Sequence, residues 1–184
     1  MKYVALYFAA VAFFTACGSV QSQHEANSNK IIQASKVRLE DLTEVQKRKL
    51  DQRIPPEVRE ILDKAEEFTI FYNIDKDTMQ LKVLMRETAP NAEANVTDPA
   101  LKKEFLDSFY SDASINSNGS SCFSPRQRVK AKYKTKVVEM DICYDCDNFQ
   151  GKSSSGNFGG AINNQSKSSA VIDAIIEKYG RKIK

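Results

Sequence analysis

The chain has 184 residues, with 27 Lys and Arg against 24 Asp and Glu, a net charge of +3 and 41% hydrophobic residues. That is room for one domain with a core, and the interspersed, nearly balanced charges argue against a nucleic-acid surface. The single histidine, His24, precedes the folded part, so Ser-His-Asp catalysis, Cys-His catalysis and histidine-based zinc sites are all excluded from the domain.

Met1-Lys2 is followed by an apolar run from Tyr3 to Ala16 and then Cys17-Gly18-Ser19. A basic start, a short apolar stretch and small residues before a break form the layout of a secretory signal. The run is shorter than the roughly 20 residues a helix needs to span a bilayer core. Phe14-Thr15-Ala16-Cys17 resembles a lipobox, the site where bacterial signal peptidase cuts before a lipidated cysteine, with Phe14 where leucine is usual. The reading is therefore residues 1–16 as signal peptide and Cys17 as the lipidation site. An acyl anchor contributes about 0.8 kcal/mol per buried methylene and holds a protein firmly with two or more chains. The rest of the first 36 residues is polar, without apolar period, and reads as a tether spanning about 25 Å.

Leu39 to Arg53 reads as a helix with its acids first and its bases last, matching the helix dipole. Pro55-Pro56 interrupts it and opens a second helix to Glu67, with Val58, Ile61, Leu62 and Ala65 on one face. Phe68 to Ile74 alternates as a strand, Asp75 to Thr78 reads as a turn, and Leu81, Val83 and Met85 as the returning strand. Thr97-Asp98-Pro99 is a helix start, with Leu101, Phe105 and Phe109 on its buried side. Asn116 to Ser121 is a polar loop.

Gln127 to Tyr144 carries the clearest pattern. A two-residue turn at Lys134-Thr135 pairs Ala131 with Val138 and Val129 with Met140 on the core side. It also sets Lys130 opposite Glu139 and Arg128 opposite Asp141 on the wet side. A one-residue slip would break both patterns. The basic stripe of this hairpin then has a plain role as a solvated face neutralised by the acids opposite. A contact with anionic lipid or cell-wall polymer is the alternative. Gly151 to Gly160 lacks the lysine and spacing of a phosphate loop and reads as a turn, with an edge strand near Phe158 to Ile162. A last helix from Ser169 to Tyr179 buries Val171, Ile172, Ile175, Ile176 and Tyr179, and Gly180 ends it.

With Cys17 lipidated, Cys122, Cys143 and Cys146 remain, an odd number for an oxidising compartment. The simplest account is one disulfide plus one free thiol. The structural reading is a disulfide from Cys122 to Cys143 or Cys146, closing a loop of more than twenty residues and worth about 3 kcal/mol, with the connectivity left open. Strand alternation places Cys143 on the wet face and Cys146 on the core side. A thiol–disulfide exchange site at Cys143-Tyr144-Asp145-Cys146 is the sharper alternative. It is disfavoured by Asp141, Asp145 and Asp147, whose charge raises a thiol pKa, and by the lack of a helix after Cys146. A metal site of three thiolates and a carboxylate fits the spacing but not the compartment.

Cys122-Phe123-Ser124-Pro125-Arg126, the basic strand, and Val138-Glu139-Met140-Asp141-Ile142-Cys143-Tyr144-Asp145-Cys146 resemble a family of uncharacterised bacterial secreted proteins. In that family Cys-Phe-x-Pro-Arg-His precedes a hairpin ending in Ile-Cys-Phe-x-Cys. Ile61-Leu62-Asp63-Lys64-Ala65-Glu66 before a strand also fits, so the resemblance runs from Val58 to Tyr179. The chain departs from it at Gln127, where histidine is usual. The resemblance implies a domain boundary and no mechanism.

The expectation is one α+β domain over residues 37–184, an antiparallel sheet of four to five strands packed by three to four helices. The expected role is a lipid-anchored, non-enzymatic binding module of the bacterial cell envelope, without cofactor or metal. Its partner would be an envelope protein or cell-wall component and not nucleic acid, and the outer membrane is preferred because no Asp follows Cys17. The runner-up is an envelope redox protein using Cys143 and Cys146.

Overall fold

Each helix starts where a local signal asks for it. In the computed structural model, which describes residues 38–74, 89–115, 122–163 and 167–183, a 3-10 turn at Leu39–Asp41 leads to α1, Glu44–Arg53. Thr43 and Gln46 form a reciprocal capping box at its start, satisfying two N–H groups that a helix start leaves without partners. Helix α2, Pro56–Lys64, begins on the second proline and buries Val58, Ile61 and Leu62. It stops before the expected Glu67, because Ala65 turns extended and Glu66 N–H already donates to Lys132 O across the sheet. Helix α3, Pro99–Ser114, is capped by Asp98, whose carboxylate accepts from the N–H groups of Ala100 and Leu101.

The sheet is wholly antiparallel, in the order β6-β5-β4-β3-β1-β2-β7. Its strands are β1 Glu67–Tyr72, β2 Ala92–Asn95, β3 Gln127–Tyr133, β4 Lys136–Cys143, β5 Asn148–Ser153, β6 Gly156–Ala161 and β7 Gly180–Lys182. The β3–β4 register pairs Ala131 with Val138, Val129 with Met140, Lys130 with Glu139 and Arg128 with Asp141, as the paired patterns predict. Lys134 makes the turn at φ 55°, a left-handed conformation that costs a non-glycine residue about 1 kcal/mol or more. Helix α4, Lys167–Tyr179, leads directly into β7. Gly180 is needed at that corner because a Cβ would sit 2.2 Å from the Tyr72 hydroxyl and 2.3 Å from Ile176 O.

The architecture is α+β, but with seven strands among the described residues where four to five were expected. The additional strands have weak sequence signals for a physical reason. Strand β2 faces the core with Ala92 and Ala94, too small to mark an apolar period. Strand β7 is short and exposed. Strand β5 puts one large apolar residue, Phe149, inward, while Gly151 leaves its place to the ring of Phe158, which covers it from β6 as aromatics cover glycines across strand pairs. The expected returning strand at Leu81, Val83 and Met85 lies outside the described residues. At the stem that leads there, Asn91 accepts from Ile74 N–H, donates to Ile74 O and is itself held by Asn73.

One face of the sheet packs on the helices. Ile70, Val129, Val138, Met140, Ile142 and Phe149 meet Ile61, Leu62, Phe105, Phe109, Ile172 and Ile175, all with no more than 1% exposure. At about 1.5–3 kcal/mol for each large apolar side chain buried, this layer dominates stability. The opposite face carries no helix among the described residues.

Candidate functional site

Cys143 ends β4, and a 3-10 turn over Tyr144–Cys146 folds the chain back. That turn brings the Cα atoms of Cys143 and Cys146 to 5.2 Å and the two are joined as a disulfide, within the usual range for such a bond. The expected bridge from Cys122 to Cys143 or Cys146 is therefore not the one formed, and Cys122 lies on the surface outside this disulfide.

Alternation along β4 would leave Cys143 wet, yet Cys143 and Cys146 are 1% and 2% exposed. The cause is the segment before β3, which lies along the end of β4. Arg126 N–H donates to Ile142 O, and Ser124 N–H donates to the Sγ of Cys146 at 3.2 Å. Arg126 also pairs with Asp145 at 2.7 Å. Behind the bridge, Tyr144 donates to the hydroxyl of buried Ser168. Ser168 N–H donates to the buried Asp112 side chain at 3.1 Å, which supplies an acceptor to an N–H that the start of α4 leaves without a partner in the helix. The turn, the bridge and α4 are thus one locked assembly. A cleft of about 180 Å³ beside it is lined by Arg126, Cys143, Tyr144, Asp145 and Asp173 among others.

The uncovered face of the sheet is organised in cross-strand rows. In one, Arg181 pairs with Glu93 at 2.8 Å, and Arg128 grips both oxygens of Asp141 at 2.6 and 3.1 Å. In the next, Glu139 is held between Lys130 at 3.4 Å and Lys152 at 3.0 Å, and Thr69 donates to Asn95. In the third, Lys132 meets Glu67 at 2.6 Å. The hydrogen bond from Lys152 leads the effects that hold the Glu139 carboxyl below its usual range, and the bond to Asp141 raises Arg128. A cleft of about 400 Å³ sits on these rows, lined by Arg128, Glu139, Asp141, Gln150, Lys152 and Asn157. The basic stripe read from β3 is therefore neutralised by neighbours. Exposed pairs of this kind add about 0–1 kcal/mol each to stability, and together they offer a polar, hydrogen-bonding plane without a concentrated charge.

A larger cleft of about 520 Å³ opens between the ends of β1 and β2 and the start of α3. Lys102 reaches into its wall and donates to Asp63 O and Ala65 O, both at 3.0 Å. It closes the end of α2, and burial pushes its ammonium below the ordinary value. Arg53 does similar work elsewhere: one Nη donates to Ala113 O, Ile115 O and Ala161 O at 2.7, 2.8 and 2.9 Å. Neither residue nor Asp112 stands out in the sequence, because each acts through backbone groups far along the chain.

Cys17 lies outside the described residues. Among those described, no helix is long and apolar enough to cross a membrane, and no three His, Cys, Asp or Glu side chains gather as a metal's ligands would. Comparison with known proteins finds no matching family model, no matching curated protein and no matching solved structure.

Proposed function

We propose that the chain is an exported protein of the bacterial cell envelope, held to a membrane through lipid on Cys17, that works as a non-enzymatic binding module. The observation that carries this reading is the burial of the Cys143–Cys146 disulfide. A disulfide suits the oxidising compartment to which the leader would send the chain. Burial suits a bond that holds a surface in place, since exchange requires a thiolate to reach a sulfur. The resemblance of Cys122–Cys146 to secreted bacterial proteins points the same way. The polar plane of the sheet and its cleft are the surface we assign to an envelope protein or cell-wall partner.

The bridged Cys-x-x-Cys pair is also what a thiol–disulfide enzyme would carry, which makes redox exchange the second reading. Asp145 beside the pair and the low exposure of both cysteines weigh against it. Two measurements on the full chain separate these. Mass spectrometry of the protein from a bacterial envelope should show acyl chains on an N-terminal Cys17, and Cys17→Ser should release it; an unmodified start elsewhere would end the anchored reading. The native disulfide should resist dithiothreitol at least about 100-fold longer than in denaturant, as a bond opened only by rare unfolding does. Rapid reduction with turnover on a disulfide substrate would instead establish the enzyme.

A further inference from the structure

The two edges of the sheet differ. Strand β7 is three residues long and carries Arg181 and Lys182, and shortness and charge are the common ways of blunting an edge. Strand β6 is six residues long, Gly156-Asn157-Phe158-Gly159-Gly160-Ala161, with no charge and no proline. Ile162 N–H points to β5, donating to Asp147 O, while Ala161 O points away and accepts from Arg53. Alternation along an antiparallel strand then aims the N–H and C=O groups of Asn157 and Gly159 outward. Among the described residues nothing pairs with that edge.

We propose that β6 is a self-association edge, where a second copy of this chain pairs antiparallel with the first across a two-fold axis at Phe158. Asn157 then faces Gly159 of the second copy and Gly159 faces Asn157. Both are hydrogen-bonded pairs that exchange N–H and C=O groups, and the two Phe158 Cα atoms stand about 4.5 Å apart between them. A second copy suits this edge for reasons in the strand itself. The pairing is self-complementary, as a two-fold interface requires, and no side chain on β6 brings like charges together. Of the nearest charges, Arg53 is engaged by carbonyls at Ala113, Ile115 and Ala161, and Lys152 lies one strand back, held by Glu139. Each Phe158 ring leans over its own Gly151, where a Cβ would meet it at 2.3 Å, leaving the edge clear. Arg53 caps Ala161 O and lays its stem along Gly160, beyond the Asn157 and Gly159 groups that pair. The result is one continuous sheet whose polar planes lie side by side. The inference does not depend on the lipid anchor.

The test uses the full chain in detergent, with Cys122→Ser to remove thiol crosslinks, and follows mass by sedimentation as concentration rises. A short paired edge predicts half-dimerisation at roughly 10–100 µM. Amide exchange at Asn157 and Gly159 should slow as the dimer forms. Asn157→Pro removes an outward N–H that the monomer does not use, a place where an edge strand accepts proline. It should weaken association by about tenfold or more. Asn157→Lys, which keeps the backbone intact, should weaken it through a charge placed on the edge. A chain that stays monomeric to about 1 mM, or a dimer indifferent to both variants or without slowed exchange at Asn157 and Gly159, overturns the proposal.

Discussion

Replacing Arg53 with methionine isolates a tie that crosses the whole fold. The side chain leaves the end of α1 and donates to Ala113 O and Ile115 O at the end of α3 and to Ala161 O at the end of β6. Methionine keeps most of the stem, which packs on Gly160 with a Cβ-to-Cγ separation of only 2.8 Å were an alanine there, and removes the donors. Hydrogen bonds from a charged donor contribute about 1.5–3 kcal/mol net, and a part-buried carbonyl left alone costs about 1–3 kcal/mol. These bonds share one nitrogen and are not additive, so the expected loss is about 2–4 kcal/mol. The cation also sits at the negative end of the α3 dipole, adding up to about 1 kcal/mol that Arg53→Lys should partly restore. Urea unfolding followed by circular dichroism should show a lower midpoint at unchanged slope. A loss under about 0.5 kcal/mol, within the range of an ordinary surface substitution, would refute the view that these carbonyls depend on Arg53.

Removing the disulfide with Cys143→Ala and Cys146→Ala should cost about 2 kcal/mol by loop entropy, since the bonded residues are only three apart in sequence and a short loop constrains the unfolded chain little. A loss near that of a loop of twenty residues would point to Cys122 as a partner instead. Lys134→Asn should stabilise the β3–β4 turn by about 0.5–1 kcal/mol, because asparagine tolerates the left-handed backbone at φ 55° better than lysine; thermal unfolding reads the sign. Gly151→Ala should destabilise by about 1–3 kcal/mol by driving the Phe158 ring off its seat, visible in the same melt. Backbone N–H bonds led by Leu101 lower the Asp98 carboxyl, and Lys152 lowers that of Glu139. A carboxyl whose folded pKa is depressed stabilises fully above its unfolded value, near 4. That contribution is lost as pH falls through the folded value. Unfolding followed from pH 7 to pH 2 should therefore lose part of its acid sensitivity in Glu139→Gln and Asp98→Asn, and unchanged acid slopes would remove these groups as the cause.

Much of the fold is written in local pattern. The β3–β4 hairpin was legible because apolar and charged alternation both demand one register, and α3 because Asp98 stands where a capping side chain must. Helix α1 was legible as a helix, but it begins at Glu44 behind the Thr43 cap, and the expected start at Leu39 is a 3-10 turn. Strands β2 and β7 were not legible: alanines, or three exposed residues, become strands only because β1 and then β2 offer them an edge. The site was less legible still. Cysteine count gives one disulfide and one thiol but leaves the connectivity open, and the 3-10 turn at Tyr144–Cys146 joins the two near neighbours rather than Cys122. The segment carrying Ser124 and Arg126 then buries a bond that alternation alone leaves half wet.

The amino-acid order by itself determined the α+β class, the proline-marked starts of α2 and α3, the hairpin register and the absence of imidazole from the domain, since each depends on residues near in sequence or on composition alone. The tertiary structure alone decided which cysteines join, that β2 and β7 extend the sheet beyond β1, and that Arg53 and Lys102 serve distant carbonyls. These depend on which backbone groups meet across long stretches of chain, and a hydrogen-bonding group carries no mark in sequence of the partner it will find.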